Sequence, residues 1–100
     1  MIARNKHAEA RPRFSLGQIV GTPDALQALE ESGESPDIFL RRHAIGDWGD
    51  IDEHDRRENE LALREGFRLM SVYPTKKGTT IWVLTEADRS SSCILLPENY

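Results

Sequence analysis

The apolar residues of this chain form three helical clusters and then three alternating runs, with one short apolar stretch ahead of them. Between residues 22 and 65, apolar residues gather on one side of three otherwise polar segments, a pattern typical of amphipathic helices. Between residues 67 and 96 they alternate with polar residues or form β-branched runs, which predicts strands. Residues 14–21 predict one further strand, with an irregularity at Gly17.

The helix boundaries are marked by short polar residues and by glycines. Thr22 and Ser35 each stand before a Pro-Asp pair, which favours the start of a helix. Gly33 and Gly66 favour helix ends. We therefore expect three short helices, between residues 22 and 33, between residues 35 and 46, and from about Glu53 to Glu65 with Asp50 or Asp52 as the N-cap.

The C-terminal third of the chain predicts strands at residues 67–73, 79–86 and 91–96. The second strand has large side chains on both faces, so it should be central. Its faces carry Ile81, Val83 and Thr85 on one side and Trp82, Leu84 and Glu86 on the other. The expected fold class is α+β: an N-terminal strand, three short helices, then a three-stranded antiparallel β-meander packed against the helices, with the first strand joining one edge.

Between the second and third helices lies the sequence RHAIGDWGD, residues 42–50. Its glycines permit backbone angles that other residues resist, and its aspartates can bond nearby backbone N–H groups. One interpretation is a structural lid anchored by Trp48, because a buried aromatic residue more often belongs to a core than to a site. The other is a loop that contacts a partner through Asp47 and Trp48.

Charge is divided between the N-terminus and the rest of the chain. Residues 1–13 carry a net charge of +3 in a chain of net charge −4, so the remainder carries −7. We interpret residues 1–13 as a disordered basic tail, the alternative being an arm that touches nucleic acid or an acidic partner. Residues 14–100 are expected to form a single small domain, whose negative charge makes nucleic acid an unfavourable partner.

Composition excludes several classes of protein. No apolar run approaches the ~18 residues of a membrane span, and residues 1–13 lack the apolar centre of a signal peptide. The single cysteine, Cys93, excludes an intrachain disulfide and zinc sites made of several cysteines. We expect a cytoplasmic protein with no cofactor, metal or membrane association, in which Cys93 is a buried, inert thiol.

An acidic segment is the clearest chemical feature of the chain. Seven acids fall between residues 47 and 60, opposed by Arg56 and Arg57. The functional interpretation is a negative surface that docks a basic protein groove; the alternative is a solvated helix face with local pairs such as Arg56 with Glu60. His54 and Glu58 have helical metal-ligand spacing, but one histidine among flexible acids is a weak ligand set. The expected partner-binding residues are Asp47, Trp48, Asp50, Asp52, Glu53, Asp55 and Glu58.

An alternative, enzymatic interpretation rests on His43, Thr85 and Arg89. In a ribonuclease a histidine moves a proton, an arginine holds the phosphate, and a hydroxyl or acid assists. Over residues 23–96 the predicted topology resembles the small toxin nucleases of the barnase, colicin and RelE-like grouping. The purely structural interpretation places Arg89 in a hairpin turn, paired with Asp88 or Glu86, and His43 at a polar helix end.

The chain resembles small uncharacterised bacterial proteins of plasmids, phages and integrative elements. Three segments together carry this resemblance: RHAIGDWGDID, ENELALREGFRLMSVY and IWVLTEADRSSSCILLPENY. Some of those proteins are labelled as a subunit of type I restriction–modification systems. The resemblance covers residues 14–100 and implies an accessory protein of a mobile genetic element. It implies no catalytic residue, and 100 residues are too few for a methyltransferase domain.

The sequence therefore predicts a non-enzymatic interaction protein of a mobile genetic element, one form of which is an antagonist of a host defence nuclease. Its protein partner would bind the acidic segment. The enzymatic alternative is a toxin-like ribonuclease that uses His43, Thr85 and Arg89. A third hypothesis is a structural accessory that forms a homodimer through an edge strand near Phe14 or residues 91–96.

Overall fold

The computed structural model describes residues 11–100, and within them three helices lie against a four-stranded sheet. The strands are β1 (Gln18–Gly21), β2 (Leu69–Pro74), β3 (Thr80–Thr85) and β4 (Ser91–Leu95). The helices are α1 (Pro23–Ser32), α2 (Pro36–Ala44) and α3 (Glu53–Glu65), and a 3-10 turn follows β4 at Pro97–Asn99. No helix in this part of the chain has the length and apolar character needed to cross a bilayer. The predicted basic tail lies mostly in residues 1–10, outside the described residues.

Each helix begins at a predicted N-cap. The side chains of Thr22 and Ser35 accept backbone N–H groups from the first turns of α1 and α2, each at 3.2 Å. Asp52, rather than Asp50, caps α3, since its Oδ1 accepts the N–H of Asp55 at 2.8 Å. Left-handed glycines end α1 and α3, as predicted.

The sheet order β1-β4-β3-β2 corrects the predicted three-stranded antiparallel sheet. Strands β2, β3 and β4 do form an antiparallel meander, but β1 adds a fourth strand parallel to β4, with Gln18 opposite Ser91. The sheet is therefore mixed. Side-chain alternation predicts the two faces of a strand but not its direction, which the path of the chain through three helices sets here.

β1 begins at Gln18, four residues later than predicted. Gly17 has a φ of +66°, and a Cβ placed on it would lie 2.3 Å from the carbonyl oxygen of Ser90, so the backbone turns sharply there. Residues 13–17, called the N-terminal strap below, instead run past the end of α2, where the Arg13 N–H donates to the Ala44 carbonyl at 2.8 Å.

One face of the sheet carries the core. Its buried side chains are Leu69, Ser71 and Tyr73 of β2, Ile81, Val83 and Thr85 of β3, and Ser92 and Ile94 of β4. The predicted central position of β3 is confirmed, and the face that carries Ile81, Val83 and Thr85 is the buried one. α1 and α2 pack on this face through Ala25, Leu29, Phe39 and Leu40. α3 lies beside β2 and buries Asn59 and Ala62 from its C-terminal half.

Candidate functional site

Residues 46–50, called the 46–50 loop below, close the outer edge of β2. Gly49 forms a parallel bridge with Val72. The Val72 N–H donates to the Trp48 carbonyl at 3.0 Å, and the Asp50 N–H donates to the Val72 carbonyl at 2.6 Å. A Cβ on Gly49 would lie 2.0 Å from that carbonyl oxygen, and the φ of Gly49 is +79°. Glycine is required because backbone passes directly against backbone at this point.

Asn59 closes the neighbouring position on the same edge. Its Nδ2–H donates to the Met70 carbonyl at 2.8 Å, and the Met70 N–H donates to its Oδ1 at 3.2 Å. Alternate residues of an edge strand point their backbone groups outward, and in β2 these residues are Met70 and Val72. Pro74, the next outward residue, has no N–H. Within residues 11–100, β2 therefore leaves no outward N–H open to a further strand.

Two of the predicted partner-binding residues are turned inward. Trp48 is 4% exposed; its Nε1–H donates to Glu60 Oε2 at 3.0 Å, and its ring stacks on Phe14 with centroids 6.2 Å apart. Asp47 is partly buried and accepts the Arg42 Nε–H at 2.7 Å. Both side chains hold the 46–50 loop in place, which is the role that the lid interpretation gives to Trp48.

The other five predicted residues are exposed and form what we call the acidic surface: Asp50, Asp52, Glu53, Asp55 and Glu58. Asp52 is the N-cap of α3, and Glu53 bonds both Arg56 and Arg57. The hydrogen bond from Arg56 lowers the pKa of Glu53 to about 2. The remaining three carboxylates, Asp50, Asp55 and Glu58, carry the rest of the negative charge of the acidic surface.

A cleft of about 210 Å³ lies between α3 and β2, directly beside the acidic surface. Ile51, Met70 and Val72 give it an apolar lining, and the exposed carboxylates of Asp55 and Glu58 stand at its rim. A separate cleft of about 260 Å³ on α3 is lined by Arg56, Arg57, Glu60, Leu61 and Arg64. The charges of α3 are therefore separated: arginines line the second cleft, and the side of the helix next to β2 is negative.

Two of the three predicted catalytic residues, His43 and Thr85, meet inside the core. His43 Nε2 lies 2.9 Å from Thr85 Oγ1, and Nδ1 lies 2.5 Å from Ser71 Oγ. Thr85 Oγ1 lies 2.6 Å from Ser92 Oγ, which donates to the Leu16 carbonyl at 2.8 Å. These four side chains, called the polar cluster below, are fully buried. The two serines were not predicted as members; a hydroxyl on the inward face of a strand is the signal that points to them.

His43 is held neutral by its surroundings. Burial, and then the positive charge of Arg89, lowers the pKa of the imidazole to about 3. Phe14 and Trp48 pack edge-on against the ring, with centroids 5.2 and 5.7 Å away. Both ring nitrogens already bond hydroxyl groups of the polar cluster. In this arrangement the imidazole has no path to a substrate in solvent.

Arg89, the third predicted catalytic residue, closes the end of α3. It lies in the turn between β3 and β4 with a φ of +62°. Its guanidinium donates to the carbonyl oxygens of Ala62, Phe67 and Glu86 at 3.0, 2.6 and 3.1 Å. The carboxylate of Glu86 bonds Arg68 instead, at 2.9 Å. Arg89 thus satisfies carbonyl groups at the C-terminus of α3, where a positive charge is favourable.

The metal and thiol candidates have ordinary surroundings. His54 Nε2 lies 3.8 Å from Glu58 Oε1, and both side chains are exposed. Among residues 11–100 no group of three or more His, Cys, Asp or Glu residues is placed to hold a metal ion. Cys93 is partly rather than fully buried, and burial raises the pKa of its thiol. A raised pKa keeps the thiol protonated, and the thiolate is the nucleophilic form.

No family model, curated protein or solved structure compared with this chain matches it.

Proposed function

We propose that this chain is a non-enzymatic protein-binding module whose acidic surface docks a partner with a basic surface. One observation carries the proposal: the carboxylates of Asp55 and Glu58 are exposed at the rim of an apolar cleft. A lysine or arginine of the partner matches both features. Its aliphatic stem packs on the apolar lining while its charged end meets a carboxylate.

The enclosed polar cluster supports a binding role over an enzymatic one. A general base must reach the proton that it abstracts, but His43 is buried and bonded on both ring nitrogens. A histidine whose pKa is about 3 is also a weak base at neutral pH. The guanidinium of Arg89 donates its hydrogen bonds to backbone carbonyls and does not line an open phosphate site.

We further propose that the chain is an accessory protein of a mobile genetic element, as its sequence resemblance implies, and that its partner comes from the host. Proteins that bind nucleic acid carry basic grooves, whose affinity for phosphates is largely electrostatic. A protein surface of exposed carboxylates competes for such a groove by the same charge. We therefore propose a nucleic-acid-binding protein of the host, such as a defence nuclease, as the partner.

Charge reversal tests this proposal. One variant carries Asp50→Lys, Asp55→Lys and Glu58→Lys; the control carries Glu30→Lys, Glu31→Lys and Asp37→Lys, which are exposed on α1 and α2. Both variants and the wild-type protein are immobilised and exposed to nuclease-treated lysate of a bacterial host. A discrete protein should be retained by the wild type and the control and lost from the first variant. Equal retention by all three, retention of nucleic acid alone, or retention of no protein contradicts the proposal.

A toxin-like ribonuclease is the second candidate, and one observation favours it: His43 Nε2 and Thr85 Oγ1 are 2.9 Å apart. Purified wild-type protein incubated with labelled RNA at neutral pH distinguishes the two candidates. The binding proposal predicts intact RNA. Cleavage that His43→Gln abolishes and His54→Gln preserves would assign the nuclease function instead.

A further inference from the structure

The side of the sheet that faces away from the core carries apolar side chains in all four strands, with polar Gln18, Ser91 and Thr80 at its ends. Leu84 lies opposite Met70 on one neighbouring strand and Cys93 on the other, and Cys93 lies opposite Val20. One apolar row therefore crosses the whole sheet. A second row starts with Val72 opposite Trp82. We call the following residues the outer sheet face: Val20, Met70, Val72, Trp82, Leu84 and Cys93.

This composition is unusual for a face without helices on it. A sheet that packs one face on a core and turns the other to water usually alternates apolar with polar side chains. Here the helices α1 and α2 pack on the inner face, and all six residues of the outer sheet face are partly or fully exposed. Leu95, which continues the second row opposite Trp82, is buried. The six residues of the outer sheet face therefore remain available to a partner.

The negative side of α3 forms a wall along this face. Met70 and Val72 belong both to the outer sheet face and to the cleft that Asp55 and Glu58 border. The cleft is thus the margin of the outer sheet face. A segment that lies there meets an apolar floor and two carboxylates together.

Aromatic side chains occupy the middle of the same face. The rings of Trp82 and Tyr100 meet edge-on with centroids 5.6 Å apart. Arg68 Nη1 donates to the Tyr100 hydroxyl at 3.4 Å. Partly exposed Trp and Tyr are the residue types most enriched among binding hot spots.

We infer that the outer sheet face and the wall of α3 bind a basic amphipathic helix of the partner, with the apolar side of that helix against the sheet. The inference rests on the proposed function and adds the form of the partner segment and the surface that receives it. Strand addition at β2 is blocked, because the outward backbone groups of Met70 and Val72 are already bonded. Recognition there must use side chains, which is how a helix binds in a groove.

A second copy of this chain fits the face less well than a helix. Four strands spaced about 4.8 Å apart and about five residues long span roughly 300 Å², whereas a standard stable interface buries about 800 Å² on each partner. Two copies would also bring two acidic surfaces together, and like charges repel. A basic helix avoids both problems. Its contact with the acidic surface adds buried area beyond the sheet, and its positive charge is opposite to that of the carboxylates.

Peptide selection tests the chemistry of the ligand. Random peptides of about 16 residues, long enough for four helical turns, are displayed on phage and selected on the full-length protein. Enriched peptides should combine Lys or Arg with apolar residues at i, i+3, i+4 and i+7 spacing. Enrichment of acidic peptides, or of basic peptides without apolar spacing, overturns the inference.

Cys93 reports where a selected peptide binds, because it is the single cysteine of the chain and lies in the apolar row that crosses the whole sheet. Bound peptide should slow the reaction of Cys93 with a thiol reagent. Leu84→Glu should weaken binding by about tenfold or more, whereas Ile38→Glu, an exposed apolar position on α2, should leave it unchanged. Val20→Glu, at the exposed edge of the same face, replaces Leu84→Glu if that variant fails to fold.

The outcomes separate this inference from the proposed function. Binding that is lost on reversal of Asp50, Asp55 and Glu58, but is unaffected by Leu84→Glu and does not protect Cys93, overturns the inference and leaves the proposed function intact. Binding that survives the charge reversal contradicts the proposed function. A concentration-dependent dimer that protects Cys93 and is lost in Leu84→Glu makes a second copy the occupant and also overturns the inference.

Discussion

The side chain of Asn59 bonds both backbone groups of Met70, accepting from its N–H at 3.2 Å and donating to its carbonyl at 2.8 Å. An amide side chain has the same donor and acceptor as a peptide group, so Asn59 stands in for one residue of a further strand. The β2 edge of the sheet is thereby closed by a side chain of α3 and by the 46–50 loop.

Replacing Asn59 should open this edge. Asn59→Asp keeps the acceptor for the Met70 N–H but loses the donor to the Met70 carbonyl, and it places a carboxylate in a buried position. We expect the free energy of unfolding to fall by about 1–3 kcal/mol, the usual effect of leaving a buried polar group unpaired. Urea unfolding measures the change, with Gln18→Glu at the exposed start of β1 as the amide-to-acid control. Equal stability of the two variants contradicts the role assigned to Asn59.

Two glycines with positive φ should respond differently to alanine. Gly49→Ala places a Cβ 2.0 Å from the Val72 carbonyl oxygen, whereas Gly33→Ala at φ +70° meets nothing within 4 Å. Gly33→Ala should lower the free energy of unfolding by about 1 kcal/mol from backbone strain alone. Gly49→Ala should lower it by more than about 3 kcal/mol, because strand and loop must also move apart. Thermal or urea unfolding compares them, and similar losses in the two variants would refute the close-contact explanation.

His43 should make the protein less stable in mild acid. Its pKa is lowered to about 3 in the folded chain by burial and by Arg89, against about 6.5 in an unfolded chain. Between these two pH values His43 is protonated in the unfolded chain but not in the folded chain. The contribution of neutral His43 to the free energy of unfolding is therefore complete above pH 6.5 and is lost as the pH falls. From pH 7.5 to pH 5 this amounts to about 2 kcal/mol.

Urea unfolding at a series of pH values checks the histidine prediction. His43→Gln removes the titrating group and should flatten the dependence between pH 7.5 and pH 5. His54→Gln, on the exposed side of α3, should preserve it. A wild-type stability that stays constant over this range is the opposing result.

The N-terminal strap should control the protonation of His43. The ring of Phe14 packs edge-on against the imidazole at 5.2 Å and stacks on Trp48. Phe14→Ala removes this cover, so water should reach the ring and the pKa of His43 should rise by about one unit or more. NMR titration of the imidazole resonances measures it, with Phe67→Ala, an exposed aromatic, as the control. An unchanged pKa would mean that Trp48 and the sheet exclude water without the strap.

The helices were predictable from sequence because their signals are local. The N-cap side chains of Thr22 and Asp52 bond N–H groups three residues away, so the information lies within one helical turn. The division of β3 into two faces was predictable for the same reason, since alternation repeats every two residues. Which face is buried was not predictable, because both carry large side chains.

The direction of β1 and the composition of the polar cluster depend on distant parts of the chain. Thr85 is separated from His43 by 42 positions, and no local pattern pairs them. The glycine at position 49 signals an unusual backbone, but the chain that requires it, at Val72, is identified only by the folded arrangement. The acidic residues were visible in the sequence, whereas the cleft beside them arises from the packing of α3 against β2.

The parallel pairing of β1 with β4 has a consequence for synthesis on the ribosome. Leu16 and Ser92, bonded beside this pairing, are 76 positions apart. At about 5–20 residues per second, β1 waits several seconds or more before β4 has been made. During that interval Ile19 and Val20, which are exposed even in the folded protein, belong to a nascent segment with no strand to pair with. A chain that ends before β4 therefore lacks the native partner of its first strand, whose free backbone groups are then open to pairing with other molecules.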